Sequence, residues 1–471
     1  MKSKSDILKL SFGPIKLEDK LVKRKSKVRK EINFSQGSNF PLIFVSALAL
    51  AMSIKSLFPD WLSYSASEAL SLSPNDGHCN PSSEGIGVHC FGDFFYTLQY
   101  AISDNPWGGD INPYPPISLL LFKPFALLRV EFPNTHVTLY LYLVLVILGV
   151  TAAAFFLKHK LKLQSLQKVI LVVLVITSGP ILYAIDRGSN QIFLFPLMVM
   201  FVYNILKGKI QVGFLCGIIM TAIKPQMIIL GLLFLVIRDF RILAKWLITN
   251  SLIFIFSFTL YSGSVLVNFR NYLNQLEAFQ NYSQSPAGAL SPPNLSLGNT
   301  VAIFENILSI WLGGKKSLTG QGYYSPWVTV IFLLVVIYIL SKYPSKEIRI
   351  EHLILVTVLI IILPNVSYGY YSLLLVPVFL MYFLSIVTPE NERQIQSTQL
   401  TFKSKFTRRI WEILSLFLFI PWGIPWKIFT PLRDDQWSWV GINYVFVNFL
   451  LVILLVSIFF DVSRKHKHEK I

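Results

Sequence analysis

The sequence predicts an all-α polytopic membrane protein with about 12 transmembrane helices. Only 14% of its 471 residues are charged, whereas a soluble globular protein has about 25%. Hydrophobic residues make up 53% of the chain, and its mean hydropathy is +0.56. Apolar runs recur along the chain, and several reach the ~17–25 residues that a membrane-spanning helix needs. These observations exclude an ordinary soluble domain.

The two ends of the chain are polar and basic. Residues 1–38 are rich in lysine and arginine. They lack the early apolar stretch and small-residue cleavage site of a signal peptide. We expect this segment to be a cytoplasmic tail, and residues 464–471 to be a second one. Residues 39–463 are predicted to form a single transmembrane domain.

Twelve apolar runs predict the membrane spans. In chain order these are 40–58, 135–157, 168–184, 191–206, 210–223, 226–237, 245–263, 327–341, 350–364, 371–387, 411–426 and 439–460. The further apolar stretch 115–128 is interrupted by Lys123 and Pro124. It is therefore predicted to be an interfacial or re-entrant helix in the first outside loop.

The distribution of charge sets the predicted sidedness. The net charge is +17, and most of the 42 lysines and arginines fall in the tails and short loops that this topology assigns to the cytoplasm. This is the pattern of the positive-inside rule. Both termini are therefore predicted to be cytoplasmic in a plasma-membrane protein, with long outside loops at 59–134 and 264–326. Because the basic residues lie between apolar runs, nucleic-acid binding is not expected.

The first outside loop contains the most informative acid. Asp93 lies in the stretch GDFFY, and it is either a functional carboxylate, a solvated loop acid or a helix N-cap. Tyr96 follows it in the same stretch. In NPYPP, Tyr114 precedes two prolines that stiffen the backbone, and it can place its phenol at the level of the lipid headgroups. Cys79 and Cys90 lie in this loop, and a disulfide between them is possible in an oxidising compartment.

Two short junctions between predicted spans contain charged residues on the same predicted outer side. In DRGSNQ, Asp186 and Arg187 either neutralise each other at the membrane edge or leave the arginine for a lipid-linked phosphate. Asn190 in this turn is a candidate helix cap or substrate contact. In IKPQ, Lys224 is either a snorkelling lysine or a phosphate contact, and Gln226 follows it.

Two later outside turns are rich in polar and aromatic residues. SPPNLSLGN contains Asn294 in a turn-forming cluster, which is either an ordinary loop or part of a site. PNVSYGYYS contains Ser367, Tyr370 and Tyr371. Its tyrosines are either residues of the aromatic belt or surfaces for stacking a sugar.

The sequence contains no signature of nucleotide or metal chemistry. There is no Walker loop, dinucleotide fingerprint, Ser/His/Asp set or metal-ligand spacing. An enzyme acting outside the cytoplasm would therefore need an activated donor that is already in the membrane. We expect no cofactor and no metal.

The order of these motifs is the most specific signal. GDFFY, NPYPP, DRGSNQ, AIKPQ, NLSLGN and PNVSYGYY follow one another on the predicted outer side. This order resembles the polyprenyl-phosphate-mannose-dependent α-mannosyltransferases of glycosyltransferase family 87, which belong to the GT-C class of multi-span glycosyltransferases. The resemblance covers roughly residues 90–380, and it implies a GT-C-like transmembrane domain.

The resemblance also implies an activity. A hexose, with mannose favoured, would pass from a polyprenyl-phosphate sugar to a lipid or glycan acceptor on the extracytoplasmic face, with inversion. Asp93 resembles the general base of this class, and Arg187 and Lys224 would hold the donor phosphate. The remaining candidates would contact substrate, namely Tyr96, Tyr114, Asp186, Asn190, Gln226, Asn294, Ser367, Tyr370 and Tyr371.

The sequence departs from the family pattern in the late motif. Members often carry Ser-Trp-x-His-Tyr there, whereas this chain has Tyr370 in place of the histidine. A 12-span secondary transporter or lipid flippase is the alternative, because its topology is the same. A transporter, however, favours charges near the bilayer midplane, whereas the predicted spans here are nearly free of charge. A non-catalytic subunit of an envelope-assembly complex is a third hypothesis.

Overall fold

The structure is a computed structural model that describes most of the chain after residue 90. The described residues are 91–109, 111–133, 137–160, 165–283, 295–297, 326–342, 344–345, 347–364, 369–387, 405–419, 427–433, 436–441, 447, 450–458 and 460. All of them belong to the second of the two units into which the chain divides, Phe44–Ile471. The predicted span 40–58 and both predicted tails lie outside the described residues.

The described part of the chain is helical apart from one short hairpin. Its α-helices are α1 (Gly92–Ala101), α2 (Pro116–Glu131), α3 (Val137–Lys160), α4 (Ser165–Thr177), α5 (Gly179–Arg187), α6 (Leu194–Leu206), α7 (Ile210–Ile223), α8 (Leu232–Val236), α9 (Phe240–Ser257), α10 (Val265–Ser283), α11 (Pro326–Lys342), α12 (Ile350–Ile362), α13 (Leu375–Val387) and α14 (Lys405–Phe419). Residues 450–458 are also helical. Short 3₁₀ turns cover Asn190–Phe193, Pro225–Gly231, Phe258–Leu260 and Gly369–Leu374.

Two described helices are long and apolar enough to cross a bilayer, Val137–Lys160 and Phe240–Leu260. Six shorter apolar helices of 10–17 residues accompany them. Since a helix rises about 1.5 Å per residue and the hydrocarbon core is about 30 Å thick, a helix of that length falls short of spanning by itself. The helical class is therefore supported, but the count of twelve spans is not confirmed.

Several predicted spans contain breaks. The run 168–184 is divided at Ser178, whose ψ of 133° is extended, and α5 begins at Gly179 with Pro180 in its first turn. Proline suits the first turn of a helix, because the amide hydrogen that it lacks would have no partner within the helix there. The run 439–460 begins in a strand, because Lys427–Arg433 pairs with Gln436–Gly441 in an antiparallel hairpin.

The first and second predicted outside loops pack against each other. The loop 264–326 begins with α10, a helix that the sequence analysis did not predict. A hydrophobic cluster joins α10 to the first loop; its buried members are Tyr100, Trp107, Leu119, Phe258, Tyr261 and Tyr272. The helix α2 was predicted from 115–128 as interfacial or re-entrant, and it forms from Pro116 to Glu131 with Leu119 and Phe122 fully buried. The described parts of the two loops are therefore in direct contact.

Candidate active site

Asp93 lies in the first turn of α1. The N-cap of this helix is Phe91, in the left-handed conformation with φ 59°. The interpretation of Asp93 as the N-cap is therefore wrong. A carboxylate in the first turn is favoured by the partial positive charge at a helix N-terminus. Asp93 is also not a fully solvated loop acid, because its side chain is only 16% exposed.

The close approach of α5 to α1 depends on Gly188. This residue follows Arg187 with φ 66°, and the amide groups of Gly188 and Ser189 donate to the carbonyls of Ile185 and Ala184. This is a Schellman end, which favours glycine. A Cβ at Gly188 would lie 2.5 Å from Cβ of Phe94. Only glycine therefore lets the end of α5 reach the start of α1.

This approach brings Arg187 onto Asp93. The Nη2 atom of Arg187 donates to Oδ1 of Asp93 at 2.8 Å, and the arginine side chain is only 12% exposed. Asp186 lies on the described backbone of α5, but its side chain is outside the described residues. The ion pair that the structure shows for Arg187 is with Asp93. The alternative in which Asp186 and Arg187 neutralise each other stays a prediction.

Tyr114 lies beside this ion pair on a stiff loop. Its amide donates to Oδ1 of Asn112 at 3.0 Å, and its carbonyl accepts from Nε1 of Trp107 at 3.1 Å. Burial raises the pKa of the Tyr114 phenol well above its ordinary value, and the negative charge of Asp93 raises it further; Thr97 and Arg187 offset part of the shift. The phenol therefore stays neutral at physiological pH and can donate a hydrogen bond.

Lys224 reaches the same place from α7. It ends this helix with an extended backbone, ψ 102°, because residues before a proline avoid the helical region. Its Nζ atom lies 5.4 Å from the ring centre of Tyr114 and 5.8 Å from that of Tyr371. Since Tyr114 also senses the charges of Asp93 and Arg187, the three predicted charged residues meet around one phenol.

Asn190 has a structural contact. It is 2% exposed, and its Nδ2 atom donates to Oγ of Ser118 on α2. The 3₁₀ turn is capped by Ser189, whose hydroxyl accepts from the amide of Gln191, and the N-cap residue of α6 is Phe193. The prediction that Asn190 caps the fourth span is therefore wrong. Its role as a substrate contact stays a prediction.

Three amide side chains near the turns contain buried polar atoms without a partner among the described residues. These atoms are Oδ1 of Asn190, both amide atoms of Gln191 and Nε2 of Gln226. A buried amide that lacks a hydrogen bond is costly. Such atoms are suited to bind a water molecule or a substrate hydroxyl.

Of the remaining predicted site residues, some have side chains that the structure describes and others do not. Tyr96 is exposed and donates to the carbonyl of Ile111, which ties α1 to its own loop. Tyr371 is 8% exposed and faces Lys224. Tyr370 lies on the described backbone, but its side chain does not belong to the described set. The predictions for Cys79, Cys90, Asn294 and Ser367 fall outside the described residues.

The structure adds residues that the sequence analysis missed. Thr97 donates from its hydroxyl to the carbonyl of Asp93 at 2.6 Å, and its spacing of four residues on a helix is a signal that sequence reasoning can use. Three further residues form hydrogen bonds to the loops and turns around the site, with partners 47 to 168 positions away in the sequence. They are Ser118, Tyr142 and Gln275. No local pattern indicates such partners.

The described residues contain no group of three or more His, Cys, Asp or Glu side chains arranged to hold a metal ion. The expectation that the reaction needs no metal and no cofactor therefore stays a prediction. What the described residues bring together is one carboxylate, two cations and two phenols. This set can accept a proton and stabilise a leaving anion.

Comparison with known proteins supports one assignment. Neither the curated proteins nor the solved structures include a match to this chain. The sequence model of glycosyltransferase family 87 matches residues 112–364. This segment is more than half of the chain, and it contains Tyr114, Arg187 and Lys224 but not Asp93. The protein therefore belongs to glycosyltransferase family 87.

Proposed function

We propose that this glycosyltransferase moves a hexose, with mannose as the first candidate, from a polyprenyl-phosphate sugar to a lipid or glycan hydroxyl. The observation that carries the proposal is the meeting of Asp93, Arg187 and Lys224 around Tyr114. A lipid phosphate is a leaving group that needs cations, and an attacking hydroxyl needs a base. The family match favours transfer over the alternative of a transporter or flippase.

The proposed reaction is a single displacement. The acceptor oxygen attacks the anomeric carbon while its proton passes to the Asp93 carboxylate. The bond from that carbon to the phosphate oxygen breaks, and the electron pair leaves with the polyprenyl phosphate. Because attack and departure take place on opposite faces of the sugar, the anomeric configuration inverts. Arg187 orients the carboxylate, and Lys224 balances the charge that develops on the phosphate.

The proposed setting is the outer face of the plasma membrane, with both termini in the cytoplasm. Two observations support a membrane location, namely the family match and the two described helices that are long enough to cross a bilayer. The packing of the first and second long loops against each other supports a shared side for both. The donor and acceptor would reach the site from the surrounding lipid.

The substitution Asp93→Asn tests the proposal. It keeps the shape of the side chain but removes the base, so transfer of radiolabelled mannose from polyprenyl phosphate should fall by a factor of about 10²–10⁴. Equilibrium binding of the same donor should be nearly unchanged. Asp104→Asn is the matched control, because Asp104 is exposed in the same loop. Full transfer by Asp93→Asn would overturn the assignment of Asp93 as the base. A parallel assay of the wild type with polyprenyl-phosphate glucose tests which hexose is transferred.

A further inference from the structure

The two cations of the site have different surroundings. Arg187 is paired with Asp93 at 2.8 Å. Lys224 forms no salt bridge with any residue in the described part of the chain. Its ammonium group lies near two aromatic rings. One is that of Tyr114, in the loop before α2, and the other is that of Tyr371, in a 3₁₀ turn. The positive charge of Lys224 is therefore not neutralised by a carboxylate of these residues.

Both rings are fixed by their own backbones. Tyr114 is held by hydrogen bonds to Asn112 and Trp107 and is followed by two prolines. Tyr371 is in the 3₁₀ turn Gly369–Leu374, and it is 8% exposed. The 3₁₀ turn contacts α5, which ends in Arg187. The rings therefore define one location for the ammonium group near the ion pair.

A lysine side chain needs contacts that fix its position more than an arginine side chain does. Its ammonium is a point charge on a flexible four-carbon stem, and fixing the stem costs conformational entropy. The negative face of an aromatic ring attracts a cation within about 6 Å, with a strength that rises as the site loses water. Phenol rings are neutral, so they hold the ammonium without cancelling its charge.

We propose that Tyr114 and Tyr371 are positioning residues that hold the Lys224 ammonium group as the contact for the donor phosphate, whereas Arg187 is committed to Asp93. This proposal rests on the proposed function. It replaces the expectation that Arg187 and Lys224 share the phosphate. It also gives the two tyrosines a task other than stacking on sugar.

Binding of polyprenyl phosphate without a sugar tests the proposal. The probe is radiolabelled polyprenyl phosphate, and the protein is the full chain in lipid nanodiscs. Lys224→Met should raise the Kd by more than tenfold. Tyr114→Leu and Tyr371→Leu should each raise it about fivefold, whereas the matching Phe variants should stay within about twofold, because phenylalanine keeps the ring face. Tyr140→Leu, on an exposed face of α3, is the control.

A double substitution separates positioning from a general loss of structure. If Tyr114 acts through the ammonium group, Tyr114→Leu should have almost no effect on the Kd once Lys224→Met is present. The same fivefold loss in both backgrounds would overturn the proposal, as would Phe variants that bind as weakly as Leu variants. Tyr371 is buried, so Tyr371→Leu can misfold. The test then depends on Tyr371→Phe and on the double-mutant cycle of Tyr114→Leu with Lys224→Met.

The outcomes also separate this inference from the function on which it rests. If Lys224→Met weakens binding but neither Leu variant does, the aromatic contacts are overturned while the phosphate contact stands. If Lys224→Met binds the probe like the wild type, the phosphate contact itself is overturned. Competition by inorganic phosphate identifies the source of the ligand. Displacement of the lipid probe at equal concentrations would overturn recognition of a lipid-linked phosphate.

Discussion

Arg187 and Asp93 are 94 positions apart in the sequence, yet their side chains form an ion pair of 2.8 Å that joins the end of α5 to the first turn of α1. The pair has two consequences for the proposed base. It fixes the direction in which the carboxylate can accept a proton. It also places an opposite charge beside the carboxylate in a position with little contact with water, where an unpaired charge would be costly.

Replacing Arg187 should therefore impair both stability and transfer. Arg187→Met removes the cation that pairs with the Asp93 carboxylate, and breaking a pair as buried as this one costs about 3 kcal/mol. We expect a lower apparent Tm and at least a tenfold lower kcat, with partial recovery in Arg187→Lys. Thermal unfolding in nanodiscs and the transfer assay measure these changes.

The double variant Arg187→Met/Asp93→Asn is the control for this pair. It removes both charges, so its apparent Tm should lie above that of Arg187→Met alone. Its transfer activity should be as low as that of Asp93→Asn. An additive loss of stability would mean that the two side chains do not interact in the folded protein.

Gly188 offers a test of the backbone approach that makes the pair. In Gly188→Ala the new Cβ would meet Phe94 at 2.5 Å, in addition to the strain of φ 66°. Gly208→Ala is the matched control, since Gly208 has φ 70° and nothing within 4 Å of an added Cβ. Both variants should lose about 1–2 kcal/mol to the left-handed backbone.

Only Gly188→Ala should also lose transfer, by at least tenfold, because it moves α5 away from α1. The transfer assay at a temperature well below both apparent Tm values separates the two effects. Equal activities for Gly188→Ala and Gly208→Ala would contradict the dependence of the site on this approach.

Some of the site could be predicted from the sequence, and the reasons are local. Asp93, Arg187 and Lys224 were identified because charges in a mostly apolar chain are costly and because their motifs follow a family order. The structure brings these three side chains to one location, and their roles stay predictions. The partner of Arg187 was not predicted, because Asp186 is its neighbour in sequence whereas Asp93 is brought to it only by the turn at Gly188.

The fold was predictable to a similar extent. Apolar runs predicted α3 and α7 closely, since helices of this kind are apolar on most faces. The break at Ser178 and the 3₁₀ turn Pro225–Gly231 were not predicted, although Pro180 follows the break by two residues and Pro225 begins the turn. The helix α10 was missed because its alternation of polar and apolar residues does not produce an apolar run. Its role becomes visible only in contacts with the first loop.

Gln275 on α10 gives these contacts a direct test. Its Nε2 atom donates to the carbonyls of Trp107 and Gly109 at 3.2 and 3.0 Å, and its Oε1 atom accepts from the amide of Asn112 at 3.2 Å. Gln275→Ala removes all three bonds, each with a net value of about 1 kcal/mol. We expect faster amide exchange of the loop that precedes Tyr114 and a higher Kd for polyprenyl phosphate.

Asn274→Ala is the control for Gln275, since Asn274 is the adjacent, exposed residue of the same helix. It should leave both the amide exchange of the loop and the Kd near their wild-type values. Unchanged exchange in Gln275→Ala would contradict a role for α10 in holding the first loop.

Trp246 provides the last test, because it supports the turn that follows Lys224. Its side chain is fully buried, and Nε1 donates to the carbonyl of Ile228 at 2.9 Å within that turn. A Cβ at Gly217 of α7 would meet the Trp246 ring at 2.3 Å. Gly217→Ala should therefore displace the ring, lower the apparent Tm and raise the Kd for polyprenyl phosphate.

Gly149→Ala on α3 is the matched helical control. An added Cβ there meets only Pro196, at the ordinary contact distance of 3.9 Å, so the variant should be neutral or gain about 0.5–1 kcal/mol from the better helix propensity of alanine. The two glycine variants are thus expected to shift the apparent Tm in opposite directions or by clearly different amounts. A Gly217→Ala protein with wild-type Tm and Kd would show that the packing of Trp246 does not control the position of Lys224.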